Sequence, residues 1–246
     1  PHKYSANHPF WQAIFCRIMQ FVGFWATWGW EMETTTLGAI AAAGVAAGGI
    51  AVCFAGNGEE LLRPPGASDE ADFRARCIKC GRCLEACPYQ AIRMAKGPTG
   101  AETGTPVIDA RAQACRLCAD FPCIAACPTE ALQPVSARDE VRMGCAVINR
   151  DLCIAVQGMR CEVCYRACPF IDSAIAIGAS VREGDAIHAV FEPLVDPEKC
   201  VGCGLCVQRC VVSDPQVAIE IVRDYGEARR RIDEEQAKHV SNPWAG

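Results

Sequence analysis

Histidine is scarce in this sequence, and the marks of several common enzyme classes are missing. The 246 residues include four histidines, and these do not cluster with an acid or a nucleophile in the sequence. They are His2, His8, His188 and His239. No glycine loop of the GxGxxG type is present either. The sequence therefore lacks both a nucleotide-binding signature and a recognisable histidine-dependent catalytic site.

A surplus of positive charge is also absent. The formal net charge is −5 with cysteine counted as neutral, and metal-bound thiolates would make the true charge more negative. No basic stripe exists that could neutralise a phosphate backbone. These features argue against a nucleic-acid partner.

Charged residues are missing from Thr34 to Gly58. Within this stretch, Leu37–Gly56 is twenty residues long, which is enough for a helix to span a bilayer. A buried helix of a soluble protein is the alternative, but a run this long and this rich in glycine and alanine is unusual in soluble cores. The upstream segment 8–31 is apolar and aromatic but carries Arg17, so it is either a second membrane helix or a helix lying in the interface.

These changes in composition predict four regions. Residues 1–58 form a membrane-anchoring segment, and residues 59–68 form a linker whose Pro64-Pro65 pair stops any helix. Residues 69–221 form a cysteine-rich domain, and residues 222–246 form a charged helix and tail exposed to solvent.

Cysteine, in contrast, is abundant. The chain has nineteen cysteines, an odd number, so a complete set of disulfides cannot explain them. Sixteen fall into four units, and the first three units end in a cysteine followed by proline. In chain order the units are Cys77, Cys80, Cys83 and Cys87; Cys115, Cys118, Cys123 and Cys127; Cys153, Cys161, Cys164 and Cys168; and Cys200, Cys203, Cys206 and Cys210.

The spacing of these units favours iron–sulfur clusters over zinc. Structural zinc sites usually combine two cysteine pairs separated by a long gap. In a C-x2-C-x2-C-x3-C-P unit, three thiolates bind one 4Fe-4S cluster and the fourth binds a second cluster. The sequence therefore predicts four 4Fe-4S clusters with the sixteen cysteines as ligands. The remaining Cys16, Cys53 and Cys145 are predicted to be small buried apolar residues.

Short apolar segments flank the units. PVIDA precedes the second unit, AVINRD the third and PLVDPEK the fourth, while AI or AL follows soon after each of the first three. They predict short strands around metal-binding loops, and hence an α+β fold of the ferredoxin-like, polyferredoxin type in which short strands and helices surround four clusters. The complete fold prediction adds the N-terminal membrane helix or helices.

Other residues of the loops suit this role. Gly81, Gly202 and Gly204 are predicted to adopt positive φ angles. Basic residues beside the ligands either offset the charge of the clusters or keep the surface soluble. They are Arg76, Lys79, Arg82, Arg116, Arg160, Arg166, Lys199 and Arg209.

Four features together resemble a known family. They are LLRPPGA before the first unit, the order and spacing of all four units, RMG at 142–144, and QGMRCEVCYRACP at 157–169. In these the chain is similar, over about residues 61–222, to the NapG/MauM ferredoxin-type proteins of periplasmic nitrate reductase and methylamine-utilisation systems. The resemblance implies an electron-transfer protein with four 4Fe-4S clusters. It would carry electrons from a polytopic, quinol-oxidising iron–sulfur subunit in the membrane to a redox enzyme or a c-type cytochrome.

An analogy with four-cluster subunits of related respiratory enzymes implies a pairing of the units. In those proteins the outer units share clusters with each other, and so do the inner ones. On this analogy Cys210 shares a cluster with the first three cysteines of the first unit, and Cys87 shares one with the first three cysteines of the fourth unit. Likewise Cys168 shares a cluster with the first three cysteines of the second unit, and Cys127 shares one with the first three cysteines of the third unit.

The family resemblance and the local sequence predict different sides of the membrane for the cysteine-rich domain. The resemblance implies export with a twin-arginine signal to the periplasmic face of the inner membrane of a bacterium, but no Arg-Arg pair precedes Leu37. If both apolar segments span the membrane, the EMETTT loop between them has no lysine or arginine and belongs outside, which returns the cysteine-rich domain to the cytoplasm. We expect the periplasmic face, with the cytoplasmic face as the alternative.

Three classes of function fit a cysteine-rich domain of this kind. An electron-transfer subunit uses a chain of clusters, whereas an iron–sulfur sensor or assembly factor needs only one labile cluster. Reversed electron flow in a different respiratory complex is a variant of the first class. An iron–sulfur enzyme needs an iron with an open coordination position. Sixteen cysteine ligands fill every such position in four 4Fe-4S clusters, unless Cys153, which is followed by an unusually long gap, is not a ligand. We predict the first class.

Overall fold

The computed structural model describes residues 61–96, 102–181 and 189–240. Short helices alternate with short strands in this part of the chain, as the sequence predicts for an α+β fold. The elements are α1 (Glu70–Arg76), α2 (Arg82–Ala86), β1 (Ile92–Met94), β2 (Pro106–Ile108), α3 (Pro122–Ala125), a 3-10 turn (Arg138–Glu140), β3 (Cys145–Ile148), α4 (Val163–Ala167), β4 (Ile175–Val181), β5 (Ala189–Val195), α5 (Leu205–Arg209), β6 (Ile219–Val222) and α6 (Tyr225–Val240).

Three two-stranded antiparallel sheets organise the domain. Strand β1 pairs with β2, with Ile92 opposite Ile108, and β4 pairs with β5, with Ile175 opposite Val195. Both are hairpins. The third sheet pairs β3 with β6, so it joins the residues before the third unit to the residues after the fourth. PVIDA contains the whole of β2, AVINRD supplies three of the four residues of β3, and PLVDPEK supplies the last three of the seven residues of β5, which confirms short strands at these places.

The cysteine units divide the domain into two modules. The first module (residues 77–127) contains the first two units with the β1–β2 hairpin between them, and the second module (residues 153–210) contains the last two units with the β4–β5 hairpin between them. In each module the helices of its two units pack together, α2 on α3 and α4 on α5. Each module is therefore a pair of cysteine loops held by local contacts.

The described part of the predicted linker is packed into the domain. Pro64 and Pro65 are among the most deeply buried side chains, and Arg63 is fully buried. The Ile108 N–H donates to the Leu62 carbonyl at 2.8 Å, which ties the segment to β2. Residues 61–65 of the predicted linker therefore pack against the domain, where neighbouring groups satisfy their polar atoms.

Arg63 is the centre of that arrangement. Its guanidinium donates to both carboxylate oxygens of Glu70 at 3.0 and 2.5 Å, and to Thr105 Oγ1 at 2.6 Å. It also stacks over the Phe73 ring, 4.9 Å from the centroid. Burial raises the pKa of Glu70, but the hydrogen bonds and positive charges of Arg63 and Arg223 outweigh it and lower that pKa. The carboxylate is therefore held ionised as a partner for the buried arginine.

The charged helix predicted near the C-terminus is α6, and one face of it is packed. Ala228 is fully buried against β3, together with part of Ile232. The Tyr225 hydroxyl donates toward the carbonyls of Gly144 and Cys200 at 2.8 and 2.9 Å. The start of this helix is therefore fixed beside the fourth cysteine unit.

The predicted membrane segment, residues 1–58, lies outside the described residues, as do Cys16 and Cys53. Over residues 61–96, 102–181 and 189–240, no helix has the length and the apolar character needed to cross a membrane.

Candidate iron-sulfur centres

The sixteen cysteines of the four units gather into four groups of four. Each group combines the first three cysteines of one unit with the last cysteine of the other unit in the same module. We call the groups sites A to D: site A is Cys77, Cys80, Cys83 and Cys127; site B is Cys115, Cys118, Cys123 and Cys87; site C is Cys153, Cys161, Cys164 and Cys210; and site D is Cys200, Cys203, Cys206 and Cys168.

Three of these groups line cavities. The cavities at sites B, C and D are small, with volumes of about 20, 30 and 20 Å³. The other lining side chains are mostly apolar, such as Phe121 and Ile92 at site B and Val212 at site C. Cavities of closely similar size, each lined by four thiols, fit one kind of cofactor repeated at each site.

Site A is defined by the surroundings of Cys83. The thiols of Cys77, Cys80 and Cys127 act electrostatically on Cys83, while burial is the main cause that raises its pKa to about 11. Cys80 is exposed to solvent. Site A is therefore a four-thiol group at the surface of the first module.

The pairing inferred by analogy with respiratory subunits is wrong. Cys87 lies with the first three cysteines of the second unit rather than those of the fourth, and Cys210 lies with those of the third unit rather than those of the first. Cys168 likewise belongs with the fourth unit and Cys127 with the first. The physical reason is local: the last cysteine of a unit follows the short helix of that unit, and this helix packs on the helix of its neighbour within the module.

The long gap after Cys153 is bridged by a compact series of turns. The Gln157 N–H donates to the Cys153 carbonyl at 3.1 Å, and Gly158 has a φ of 98°, which favours glycine. These turns fold the chain so that Cys153 lines the cavity of site C with Cys161 and Cys164. All four positions of site C are therefore supplied by cysteine.

Burial makes an isolated thiolate unfavourable in these groups. It raises the pKa of Cys115, Cys123 and Cys203 to about 12 in each case, and that of Cys206 well above its usual value. Iron ligands must be thiolates, so the ionised form needs a positive group inside each site. This donor set fits a cluster of iron ions, which would supply that charge.

Backbone N–H groups point at several of the sulfur atoms. The donors are Ala91 to Cys87 at 3.4 Å, Leu117 to Cys115 at 3.5 Å, Phe170 to Cys168 at 3.4 Å and Ala146 to Cys200 at 3.4 Å. Hydrogen bonds of this kind stabilise thiolate and tune an iron–sulfur centre. The sequence predicted backbone N–H groups close to sulfur, brought there by Gly81, Gly202 and Gly204, but it did not identify these four donors, because every residue except proline carries the same group. The positive φ angles predicted for Gly81, Gly202 and Gly204 are confirmed at 77°, 71° and 81°.

Cys145 is a further residue whose role the sequence did not reveal. Its side chain is fully buried, as predicted for a small apolar residue. In addition, its thiol donates to the Ala146 carbonyl at 3.5 Å and lies within hydrogen-bonding reach of Cys200, and this interaction is the main cause that lowers the pKa of Cys200. A cysteine in the strand that pairs with β6 therefore acts on a cysteine of site D.

Several of the basic residues beside the ligands, for which the sequence left open a role at the clusters or a role at the surface, pair with acids. Arg76 pairs with Asp72 at 2.8 Å, and Arg160 and Arg166 both pair with Glu162 at 2.9 and 2.6 Å. Other arginines act on the sites: the charge of Arg142 contributes to lowering the pKa of Cys200, and that of Arg138 opposes the burial that raises the pKa of Cys118. Neither arginine is adjacent to a ligand cysteine in the sequence.

The four sites follow one another in the order A, B, D, C. Cys83 of site A interacts with Cys123 of site B, and Cys206 of site D interacts with Cys164 of site C. Between the modules, the Cys115 N–H of site B donates to the Cys203 carbonyl of site D at 3.0 Å. Each site is therefore in contact with the next.

A single metal ion finds no comparable ligand set in the described ranges. Over residues 61–96, 102–181 and 189–240, no three side chains of His, Cys, Asp or Glu converge closely enough to hold one ion.

The sequence matches the 4Fe-4S dicluster domain family twice, at residues 76–131 and 152–213. Each match covers the two units of one module, so the family match and the grouping of cysteines divide the chain in the same way.

Curated relatives are ferredoxin-type proteins. The chain is 40% identical over 186 residues to ferredoxin-type protein NapG of Escherichia coli strain K12, which covers 75% of this chain and 80% of the relative. It is 42% identical over 161 residues to NapG of Haemophilus influenzae, covering 64% of this chain and 58% of the relative. It is also 40% identical over 161 residues to the methylamine utilization ferredoxin-type protein MauM of Methylophilus methylotrophus, covering 65% and 70%. No solved structure matches.

Proposed function

Because the chain belongs to the NapG/MauM family of ferredoxin-type iron–sulfur proteins, which have an electron-transfer role, we propose that it is a membrane-anchored subunit that relays electrons through four 4Fe-4S clusters. The sixteen cysteines of sites A to D are the ligands. When bound, the clusters supply one-electron chemistry, and the protein sets their spacing and surroundings.

The observation that carries this proposal is the continuous series of four-cysteine sites. Sites A and B share the first module, sites D and C share the second, and the backbone hydrogen bond between Cys115 and Cys203 joins them. A sensor or assembly factor has no need for such a series, whereas a relay requires neighbouring centres along its whole length.

Attachment and partners complete the proposal. Residues 1–58 anchor the domain in the cytoplasmic membrane of a bacterium, with Leu37–Gly56 as the spanning segment. The iron–sulfur domain lies on the periplasmic face, and the cytoplasmic face is the alternative. The electron donor is a polytopic iron–sulfur subunit that oxidises quinol, and the acceptor is a redox enzyme or a c-type cytochrome.

Metal analysis of anaerobically purified protein tests the cofactor content. We expect about sixteen iron and sixteen acid-labile sulfide per chain, because four units each supply the ligands of one 4Fe-4S cluster. After reduction with dithionite, EPR spectra should show magnetically coupled 4Fe-4S signals. About four iron per chain, or zinc in place of iron, would refute the relay.

Removing the Cys145 thiol should change the reduction potential at site D. A hydrogen bond to a thiolate ligand stabilises the more negative, reduced state, so Cys145→Ala should lower one midpoint potential, by on the order of 40 mV for a bond of ordinary strength. Cys145→Ser keeps a donor at this position and serves as the control. A redox titration monitored by EPR measures both, and equal potentials in the two variants would contradict this role of Cys145.

A further inference from the structure

The two modules touch through the ligand loops of sites B and D. The Cys115 N–H, in the second unit, donates to the Cys203 carbonyl, in the fourth, at 3.0 Å. This is the contact at which the two centres nearest the middle of the series approach each other. The distance between sites B and D therefore depends on how closely these loops pack.

Gly204 lies directly against the first module at this contact. A Cβ atom at Gly204 would be 2.6 Å from Ala110 Cβ, 3.4 Å from Ala110 Cα and 3.7 Å from Ala114 Cβ. The first distance is far inside van der Waals contact, and Ala110 has no flexible side chain that could move aside. A methyl group at Gly204 would therefore force the two loops apart.

Gly81 occupies the equivalent position in the first unit and provides a comparison within the same chain. Both glycines stand between the second and third cysteines of a unit, immediately before a five-residue helix. Their φ angles are nearly equal, 77° at Gly81 and 81° at Gly204. A Cβ at Gly81, however, would meet nothing within 4 Å. The two positions share the need for a left-handed backbone but differ in their surroundings.

Polar contacts reinforce the same junction from outside the ligand loops. One terminal nitrogen of Arg111, in the first module, donates to the carbonyls of Val207 and Cys210 at 2.9 Å each. In return, Gln208 Nε2 donates to the Ala112 carbonyl at 3.2 Å. These bonds hold α5, which follows Gly204, against the first module.

We infer that Gly204 is a positioning residue for electron exchange between the two modules: its lack of a side chain lets the loops of Cys115 and Cys203 approach, so that sites B and D exchange electrons directly. Each exchange oxidises the group held at one site and reduces the group held at the other by one electron, and no bond is made or broken. This inference rests on the proposed function, which it makes more specific.

The test compares Gly204→Ala with Gly81→Ala in the full-length, cluster-loaded protein. Both variants carry the cost of a side chain at positive φ, but only Gly204→Ala creates the clash. In Gly204→Ala we expect the Cys115 amide to exchange with deuterium about tenfold faster, which is the effect of losing one ordinary hydrogen bond. We also expect weaker magnetic coupling between the modules in EPR of the fully reduced protein, and slower equilibration of electrons after flash reduction. Gly81→Ala should leave all three unchanged.

The possible results separate this inference from the proposed function. If the wild-type protein contains far fewer than about sixteen iron ions per chain, the proposed function fails. If it is fully loaded and Gly204→Ala matches Gly81→Ala in all three measurements, only the role of Gly204 is overturned. If Gly204→Ala does not retain iron, Arg111→Leu decides, because it loosens the same junction by removing side-chain hydrogen bonds to backbone carbonyls while every ligand cysteine and Gly204 stay in place. Faster exchange at Cys115 with weaker coupling supports the inference, and wild-type behaviour overturns it.

Discussion

A variant in which both Cys87 and Cys118 are replaced by alanine is expected to lose no more iron than the Cys118→Ala variant. The expected loss in each is about four iron atoms per chain, the content of one 4Fe-4S cluster. The reason is that both cysteines belong to site B, although they come from different units. Once one ligand is gone and the cluster is lost, the second replacement removes nothing further. Such non-additivity marks residues that act on one centre.

The matched control replaces Cys87 together with Cys203, which lines site D. This pair acts on two centres, so the losses should add to about eight iron per chain. The pairing of outer units requires the opposite pattern: the iron losses would add for Cys87 with Cys118 and would not add for Cys87 with Cys203. That result would contradict the grouping into modules. Iron analysis of the two double variants and their three single variants decides the matter.

Replacing Arg63 with methionine is expected to lower the free energy of unfolding by about 3 kcal/mol, the lower end for removing one partner of a buried ion pair. Methionine retains an apolar stem of similar length, so that the packing loss is small. What is lost is a positively charged group that donates hydrogen bonds to Glu70 and Thr105. The Arg63 side chain is almost fully shielded from water. Urea unfolding of the loaded protein under anoxic conditions, followed by circular dichroism, measures the change.

Arg76→Met is the control for this measurement, since it removes an arginine from α1, the helix that carries Glu70, the partner of Arg63. Arg76 and its partner Asp72 are both substantially exposed, and exposed ion pairs contribute little to stability. We therefore expect a much smaller change in stability. Equal destabilisation by the two substitutions would mean that the network around Arg63 contributes no more than a surface pair.

The four cysteine units and several of the short strands were readable from the sequence because cysteine spacing and short apolar segments are local properties. The segments PVIDA, AVINRD and PLVDPEK each contribute three residues to β2, β3 and β5, respectively. The apolar pair after the second unit did not produce a strand: Leu132 forms only an isolated bridge with Ala67. Its partner lies in the segment that the sequence marked as a linker.

The features that sequence reasoning missed depend on contacts between distant residues. A proline pair beside an arginine is typical of an exposed linker, and only the carboxylate of Glu70 and the hydroxyl of Thr105 make burial of Arg63 tolerable. The spacing of a unit shows that its fourth cysteine binds a second cluster, but it does not show which one. That choice is made by the packing of neighbouring helices within a module.

The arrangement of each module as cysteine loop, β-hairpin and cysteine loop has a consequence for the ancestry of the chain. The larger internal repeat is a half that contains two cysteine units, matched at 76–131 and again at 152–213. A single duplication of such a half would produce this pattern. The halves differ in the hairpin, whose paired strands have three residues each in the first half and seven each in the second.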